Sequence, residues 1–180
     1  MPAFLSDEQQ WQPHLVLGDG SPVLARPIRP GDDLLIRELR AHVSKEDLRL
    51  RFFDSIKEFS DQFIAKLTKV DDTRAMTIVA TDEAGTAMLG AVWLYADLVR
   101  ETGEYAVLLR SDYKGRGLGW ALMQLMIECA KFMGLKRIDG QILQENSVML
   151  KMCRELGFEI KTDAEDRGLC DVTLTLRHAK

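Results

Sequence analysis

The 180-residue chain has little with which to hold a metal or build a disulfide framework. Its three cysteines, Cys129, Cys153 and Cys170, fall in no metal-ligand spacing and make no even set. His14, His42 and His178 are scattered, so no metal site is expected and structural or solvated roles suit them better. No apolar run approaches the ~18 residues of a membrane span. The first eight residues, Met1-Pro2-Ala3-Phe4-Leu5-Ser6-Asp7-Glu8, lack both the basic region and the apolar core of a secretory leader. There is no excess of positive charge: 24 Lys and Arg stand against 28 Asp and Glu, a net −4. General nucleic-acid binding, which favours a basic surface, is therefore not expected. Unpaired cysteines fit a reducing compartment, and a cytoplasmic location is expected. No internal repeat, low-complexity segment or linker is visible. The string G-x-x-x-x-G-K followed by Ser or Thr, which a P-loop requires, is absent.

What is present is the composition of one ordinary globular domain, 46% hydrophobic and 29% charged. Residues 1–13 read as a flexible lead-in and 14–180 as a single domain. Leu15-Val16-Leu17 and Val23-Leu24-Ala25 flank Asp19-Gly20, the signal of a hairpin. Pro30-Gly31-Asp32-Asp33 starts a helix with acids in its first turn. Ser44-Lys45-Glu46-Asp47 starts a second in the manner of a capping box, and Ser60-Asp61-Gln62-Phe63 a third. Residues 76–80 and 89–94 read as strands around the turn Asp82-Glu83-Ala84-Gly85, and 104–109 as the next strand. A long helix runs to Met133, with Gly134 as its stop. Strand 137–143, helix 147–156 and a last strand 172–176 complete an α/β or α+β domain around a mixed sheet.

The most informative segment is Asp112-Tyr113-Lys114-Gly115-Arg116-Gly117-Leu118-Gly119-Trp120-Ala121. Alternating glycines follow an apolar strand and precede an amphipathic helix with Leu118, Ala121, Leu122, Leu125, Cys129 and Met133 at helical spacing. Glycines let a ligand approach the main chain, and the helix start supplies unpaired N–H donors and partial positive charge. Such a turn suits a phosphate or diphosphate. A dinucleotide fold fits less well. The spacing is G-x-G-x-G rather than G-x-G-x-x-G, and about 100 residues precede the turn.

Lys114-Gly115-Arg116-Gly117-Leu118-Gly119 resembles the acyl-CoA diphosphate loop of GNAT-superfamily acetyltransferases, with Lys114 where the family has Gln or Arg. Asn146, followed by a helix ending at Leu156-Gly157-Phe158, is similar to the family's next block. A narrower likeness is to the catalytic domain of Pat-type bacterial protein lysine acetyltransferases. It rests on Glu104-Tyr105-Ala106-Val107-Leu108-Leu109-Arg110-Ser111-Asp112, on Val43-Ser44-Lys45-Glu46-Asp47-Leu48-Arg49-Leu50-Arg51-Phe52-Phe53, and on Gly20-Ser21-Pro22-Val23-Leu24-Ala25-Arg26-Pro27-Ile28. Many Pat proteins carry a further large domain that 180 residues cannot hold, so the chain reads as a stand-alone form or an excised catalytic domain.

The resemblance implies the GNAT fold, a mixed, mostly antiparallel sheet whose central strands splay apart, and acetyl-CoA as co-substrate without a metal. It implies Glu104 as general base. Main-chain groups of Val107, Leu108 and Leu109 would meet the pantetheine arm and the oxyanion. The N–H groups of Gly115, Arg116, Gly117, Leu118, Gly119 and Trp120 would hold the diphosphate, aided by the Lys114 and Arg116 side chains, although Trp120 also reads as a packing residue. Asn146 would bond the cofactor arm, or cap its helix, or both. Many members carry a tyrosine seven residues after that asparagine. Here the position is Cys153, which reads as a small buried residue. The implied acceptor is a lysine on a protein such as an acyl-CoA synthetase, with the mixed charges of Lys45, Glu46, Asp47, Arg49 and Arg51 facing it and Leu48, Phe52 and Phe53 turned to the core. Two other readings stand: acetylation of a small amine, and a non-catalytic acyl-CoA-binding module.

Overall fold

The computed structural model describes residues 11–52, 60–68 and 73–177. The first ten residues of the expected lead-in, Phe53 and His178 lie outside them.

The Asp19-Gly20 turn joins strands β1 (His14–Val16) and β2 (Pro22–Pro27) in register Leu15 to Val23, with Gly20 at φ +83°. Helix α1 (Asp33–Ala41) follows. Asp32 precedes it without a side-chain cap bond. Its carboxylate instead takes both arms of Arg26 at 2.7 and 2.9 Å and the Arg29 N–H at 2.7 Å. This fork-to-fork pair is buried and ties β2 to the helix start. Helix α2 (Lys45–Phe52) does begin at Ser44, whose hydroxyl accepts from the Asp47 N–H. The box closes through a distant residue: Ser111 Oγ accepts from the Ser44 N–H at 2.8 Å and donates to the Asp47 carboxylate. Helix α3 (Asp61–Leu67) is capped by Ser60.

Strands β3 (Ala75–Thr81), β4 (Met88–Ala96) and β5 (Thr102–Leu109) form an antiparallel meander. A short 3₁₀ turn (Ser111–Tyr113) leads to helix α4 (Leu118–Phe132), which stops at Gly134. Then come β6 (Arg137–Leu143), α5 (Ser147–Glu155), β7 (Glu159–Thr162) and β8 (Leu169–Thr175). The 3₁₀ turn and β7 have no counterpart in the sequence reading, and the last strand begins at Leu169 rather than Val172. Three of the four β7 residues are exposed, so the segment offers no apolar alternation, and it becomes a strand only by adding to the β8 edge.

The sheet order is β1-β2-β3-β4-β5-β6-β8-β7, antiparallel except for β5–β6. Two cores cover its faces. Ile36, Leu39, Val43, Leu48 and Ile64 of the α1–α3 side pack on Val79, Met88, Ala91 and Leu108. Leu122, Met126, Leu150 and Cys153 of α4 and α5 pack with Val92, Leu94, Ile138 and Val172.

The parallel pair β5–β6 has only three rungs, Thr102 to Arg137, Gly103 to Ile138 and Glu104 to Asp139. Both strands run on for several residues past the last rung. The next residues in the two strands are Tyr105 and Gly140. The Tyr105 ring occupies the space of a Gly140 side chain: an ideal Cβ would stand 2.5 Å from its Cε1 and about 3 Å from two more ring atoms. The ring is fixed by Phe158, 5.7 Å between centroids, and its hydroxyl meets Cys153 Sγ at 3.3 Å. Overpacking of this kind costs about 1–3 kcal/mol. Gly140→Ala should lower unfolding free energy by about that amount in a urea titration, because the added methyl must displace a ring held by Phe158 and Cys153.

Candidate active site

The splay opens a cleft of about 270 Å³. Ala106, Val107, Leu108 and Leu109 of β5 form one wall, Gln141 and Ile142 of β6 the other, and Gly115, Gly117, Gly119 and Trp120 close the far end. Helix α2 contributes Asp47, Leu50 and Arg51, and α5 contributes Val148, Met149 and Met152. The wall strands have lost their sheet neighbour, so their main-chain groups face the gap and need partners there. Val107, Leu108 and Leu109 therefore lie where a pantetheine arm could pair like an added strand.

At the far end, Gly115 and Gly117 carry φ of +74° and +91°, and Gly117 is the left-handed residue that starts α4. Nothing in the chain itself crowds either position. A Cβ on Gly115 would meet nothing within 4 Å, and one on Gly117 only the Gly18 nitrogen at 3.9 Å. The constraint is conformational, since L-residues rarely adopt these angles. Trp120, expected also to pack, is half-buried with a side toward the cleft.

Both basic side chains of the turn are held by carboxylates. Lys114 forms an ion pair with Asp47 across the cleft mouth. Burial pushes the Asp47 carboxyl up, but hydrogen bonds from Lys114 and Ser111 outweigh it and hold the group below its usual range. Arg116 turns the other way. It bonds Asp19 and Ser21 at 2.7 Å each and stacks 4.2 Å over the Tyr113 ring, while its carbonyl accepts from the Gly18 N–H. Hydrogen bonds from Ser21, then from Arg116, lower the Asp19 carboxyl to about 2. The N-terminal hairpin thus clips the glycine turn from behind. Sequence reasoning saw Asp19-Gly20 as a hairpin turn alone, because 97 residues separate Asp19 from Arg116. On the opposite rim, Arg49 joins Glu46 to Glu145, both at 2.6 Å. The α2 charges therefore bridge the cleft edges, and Leu48 is buried as expected.

Asn146 caps α5, its Oδ1 accepting from the Met149 N–H at 3.2 Å, and it also lines the cleft. Cys153 is wholly buried, and burial raises its thiol pKa. Glu104 does not line the cleft. It stands at the closed end, on the last shared rung, exposed, with its side chain on the same strand face as Ala106. Tyr95 of β4 lies opposite it and Asp139 of β6 beside it. Asp139 is engaged by Arg137 at 3.0 Å, whereas the Glu104 carboxylate has no hydrogen bond or ion pair among the described residues. These residues also contain no His, Cys, Asp and Glu cluster able to hold a metal, and no helix long and apolar enough to cross a membrane.

The acetyltransferase (GNAT) domain profile matches residues 23–159. The chain belongs to the GNAT acetyltransferase family. It is an N-acetyltransferase of a family that uses acetyl-CoA. An acetyltransferase from Pseudomonas aeruginosa is 32% identical over 152 residues, 83% of this chain and 82% of that one. The acetyltransferase Pat of Mycolicibacterium smegmatis is 34% identical over 139 residues, 73% of this chain but only 40% of that protein. The crystal structure of the GNAT domain of S. lividans PAT superposes with a TM-score of 0.84 at 24% identity, covering 93% of this chain and 98% of that one. The sheet with its splayed parallel pair is thus the fold that the resemblance implied.

The conformational account of the turn makes a discriminating prediction. Asparagine tolerates left-handed φ better than other non-glycine residues. Gly117→Asn should therefore retain more acetyl-CoA affinity than the smaller Gly117→Ala when both are titrated calorimetrically. A limit set by room would give the reverse order.

Proposed function

We propose that this domain transfers the acetyl group of acetyl-CoA to a lysine side chain on a protein, with Glu104 as general base. The observation that carries the base assignment is the state of the acids around the cleft. Asp47 is bonded by Lys114 and Ser111, Asp139 by Arg137, and Glu46 and Glu145 by Arg49. Glu104 alone among these keeps both carboxylate oxygens unengaged among the described residues, beside the point where the strands part; Asp139 has one, Oδ1, and it is buried.

The residues present fit acetyl-CoA. Unpaired strand edges suit the amides of its arm, and positive-φ glycines at a helix start suit its diphosphate. When bound, the co-substrate supplies an activated thioester. The chain's own task is to prepare the amine and stabilise charge on the acyl oxygen. A free lysine ammonium has a pKa of about 10.4, so it is almost wholly charged at neutral pH and cannot attack. Glu104, directly or through one water, accepts its proton. A main-chain N–H among Val107, Leu108 and Leu109 is the preorganised donor for the developing negative charge. Lys114 reaches the diphosphate by leaving Asp47, while Arg116 stays in its clip with Asp19 and acts on the loop's shape. Asn146 holds the start of α5 against the cofactor arm. The thiol leaving from acetyl-CoA resembles cysteine, with a pKa near 8.5, so it departs as thiolate with little assistance.

Glu104→Gln should bind acetyl-CoA normally and lose about 100- to 10,000-fold in kcat. The deficit should shrink as pH rises toward the amine pKa, because the acceptor then deprotonates unaided. A steady-state pH profile of both proteins checks this.

The protein acceptor is supported by the similarity to Pat, and an acyl-CoA synthetase is the substrate to try first. A small-amine reading has its own support. An L-methionine sulfoximine and L-methionine sulfone acetyltransferase of Pseudomonas aeruginosa is 38% identical over 96 residues, 49% of this chain. Turnover of intact acyl-CoA synthetases, short lysine peptides and small amines, measured side by side, decides between them. A protein acetyltransferase should show kcat/KM for the folded synthetase well above that for the peptide or the free amine.

A further inference from the structure

On the α1–α3 side of the sheet, one lysine lies over the aromatic ring that is paired with Glu104 across the β4–β5 ladder. Tyr95 and Glu104 are direct partners in the β4–β5 ladder, so their side chains share this face with Cβ atoms about 5 Å apart. The Lys66 ammonium, from the last turn of α3, sits 5.2 Å from the Tyr95 ring centroid, and the Arg74 guanidinium 5.0 Å from it. Tyr95 is therefore an aromatic platform that gathers cations next to the open carboxylate. The attraction is that of a cation for the ring's negative face. Lys66 is exposed and has no hydrogen bond or ion pair among the described residues. It is held by the ring contact alone, on a flexible four-carbon stem. Lys45, Lys151 and Lys161 are also exposed, but none has such a contact beside Glu104.

We propose that Lys66 is a self-acetylation site, modified within its own chain by the acetyl-CoA bound in the cleft. This rests on the reading of Glu104 and the cleft given above. The Lys66 Nζ gives up a proton to Glu104 and attacks the acetyl carbonyl. The new N–C bond forms as the C–S bond breaks, and coenzyme A leaves as thiolate and takes up a proton. The product is a neutral amide, which ends the cation–ring contact with Tyr95 and leaves the platform to Arg74.

The test is incubation of the full chain with acetyl-CoA, followed by peptide mass spectrometry of every lysine over time, with heat-denatured protein as the control for direct chemical acetylation. Lys66 should be modified at least tenfold faster than Lys45, Lys151 or Lys161. Its first-order rate constant should be unchanged on tenfold dilution of the protein, and the preference should vanish in the denatured control. Tyr95→Leu should slow Lys66 modification while the folded protein, judged by circular dichroism, still binds acetyl-CoA. If the enzyme acetylates an external amine but Lys66 reacts no faster than the other exposed lysines, or at a rate proportional to protein concentration, the self-acetylation proposal is overturned and the acetyltransferase reading stands. If neither Lys66 nor any external amine is acetylated, both fall together.

Discussion

The site depends on an interrupted strand pair. β5 and β6 share three rungs and then separate, and just past the last rung one aromatic ring packs in the space of a missing side chain. Tyr105 cannot lie over Gly140 and also leave room for a residue with a Cβ there. Its position is fixed from α5 by Cys153 and, just before β7, by Phe158. The same ring lines the cleft and belongs to the core of the α4–α5 face. Main-chain groups that a longer parallel pair would consume are left facing the gap, where a cofactor arm can take them.

Charge is distributed around this gap with a clear division. The rim acids are neutralised, Asp47 by Lys114 across the mouth and Glu145 by Arg49. Surface ion pairs of this kind contribute little stability, typically a fraction of a kcal/mol. Their consequence is positional: helix α2 is tied to the loops that follow β5 and β6 on both rims of the cleft. Asp19 and Ser21 do the same for the back of the glycine turn. Glu104, by contrast, stands at the closed end without such a partner among the described residues.

Much of the architecture was legible along the chain because its signals are local. The Asp19-Gly20 hairpin, the Ser60 cap, the Gly134 stop and the apolar periodicity of α4 each depend on neighbours a few residues away. The glycine turn before α4 and the Asn146 cap were legible for the same reason, and the family likeness supplied the splay. What could not be read were contacts between distant segments. Ser111 closing the Ser44–Asp47 box, Asp32 joining Arg26 rather than capping its own helix, and the Asp19–Arg116 clip leave no periodic trace. Strand β7 has none either, because an exposed edge strand is defined by the strand it joins.

The sequence by itself determined the order of elements, the left-handed glycines of the turn and the apolar faces that cover the sheet, since dihedral preference and hydrophobic burial act residue by residue. Only the tertiary structure decided which charges are spent and which remain. It paired Lys114 with Asp47, turned Arg116 away from the cleft, placed Tyr95 opposite Glu104 and set Lys66 on its ring. Those outcomes depend on distances between side chains far apart in the chain, and electrostatic interaction follows distance in space rather than along the sequence.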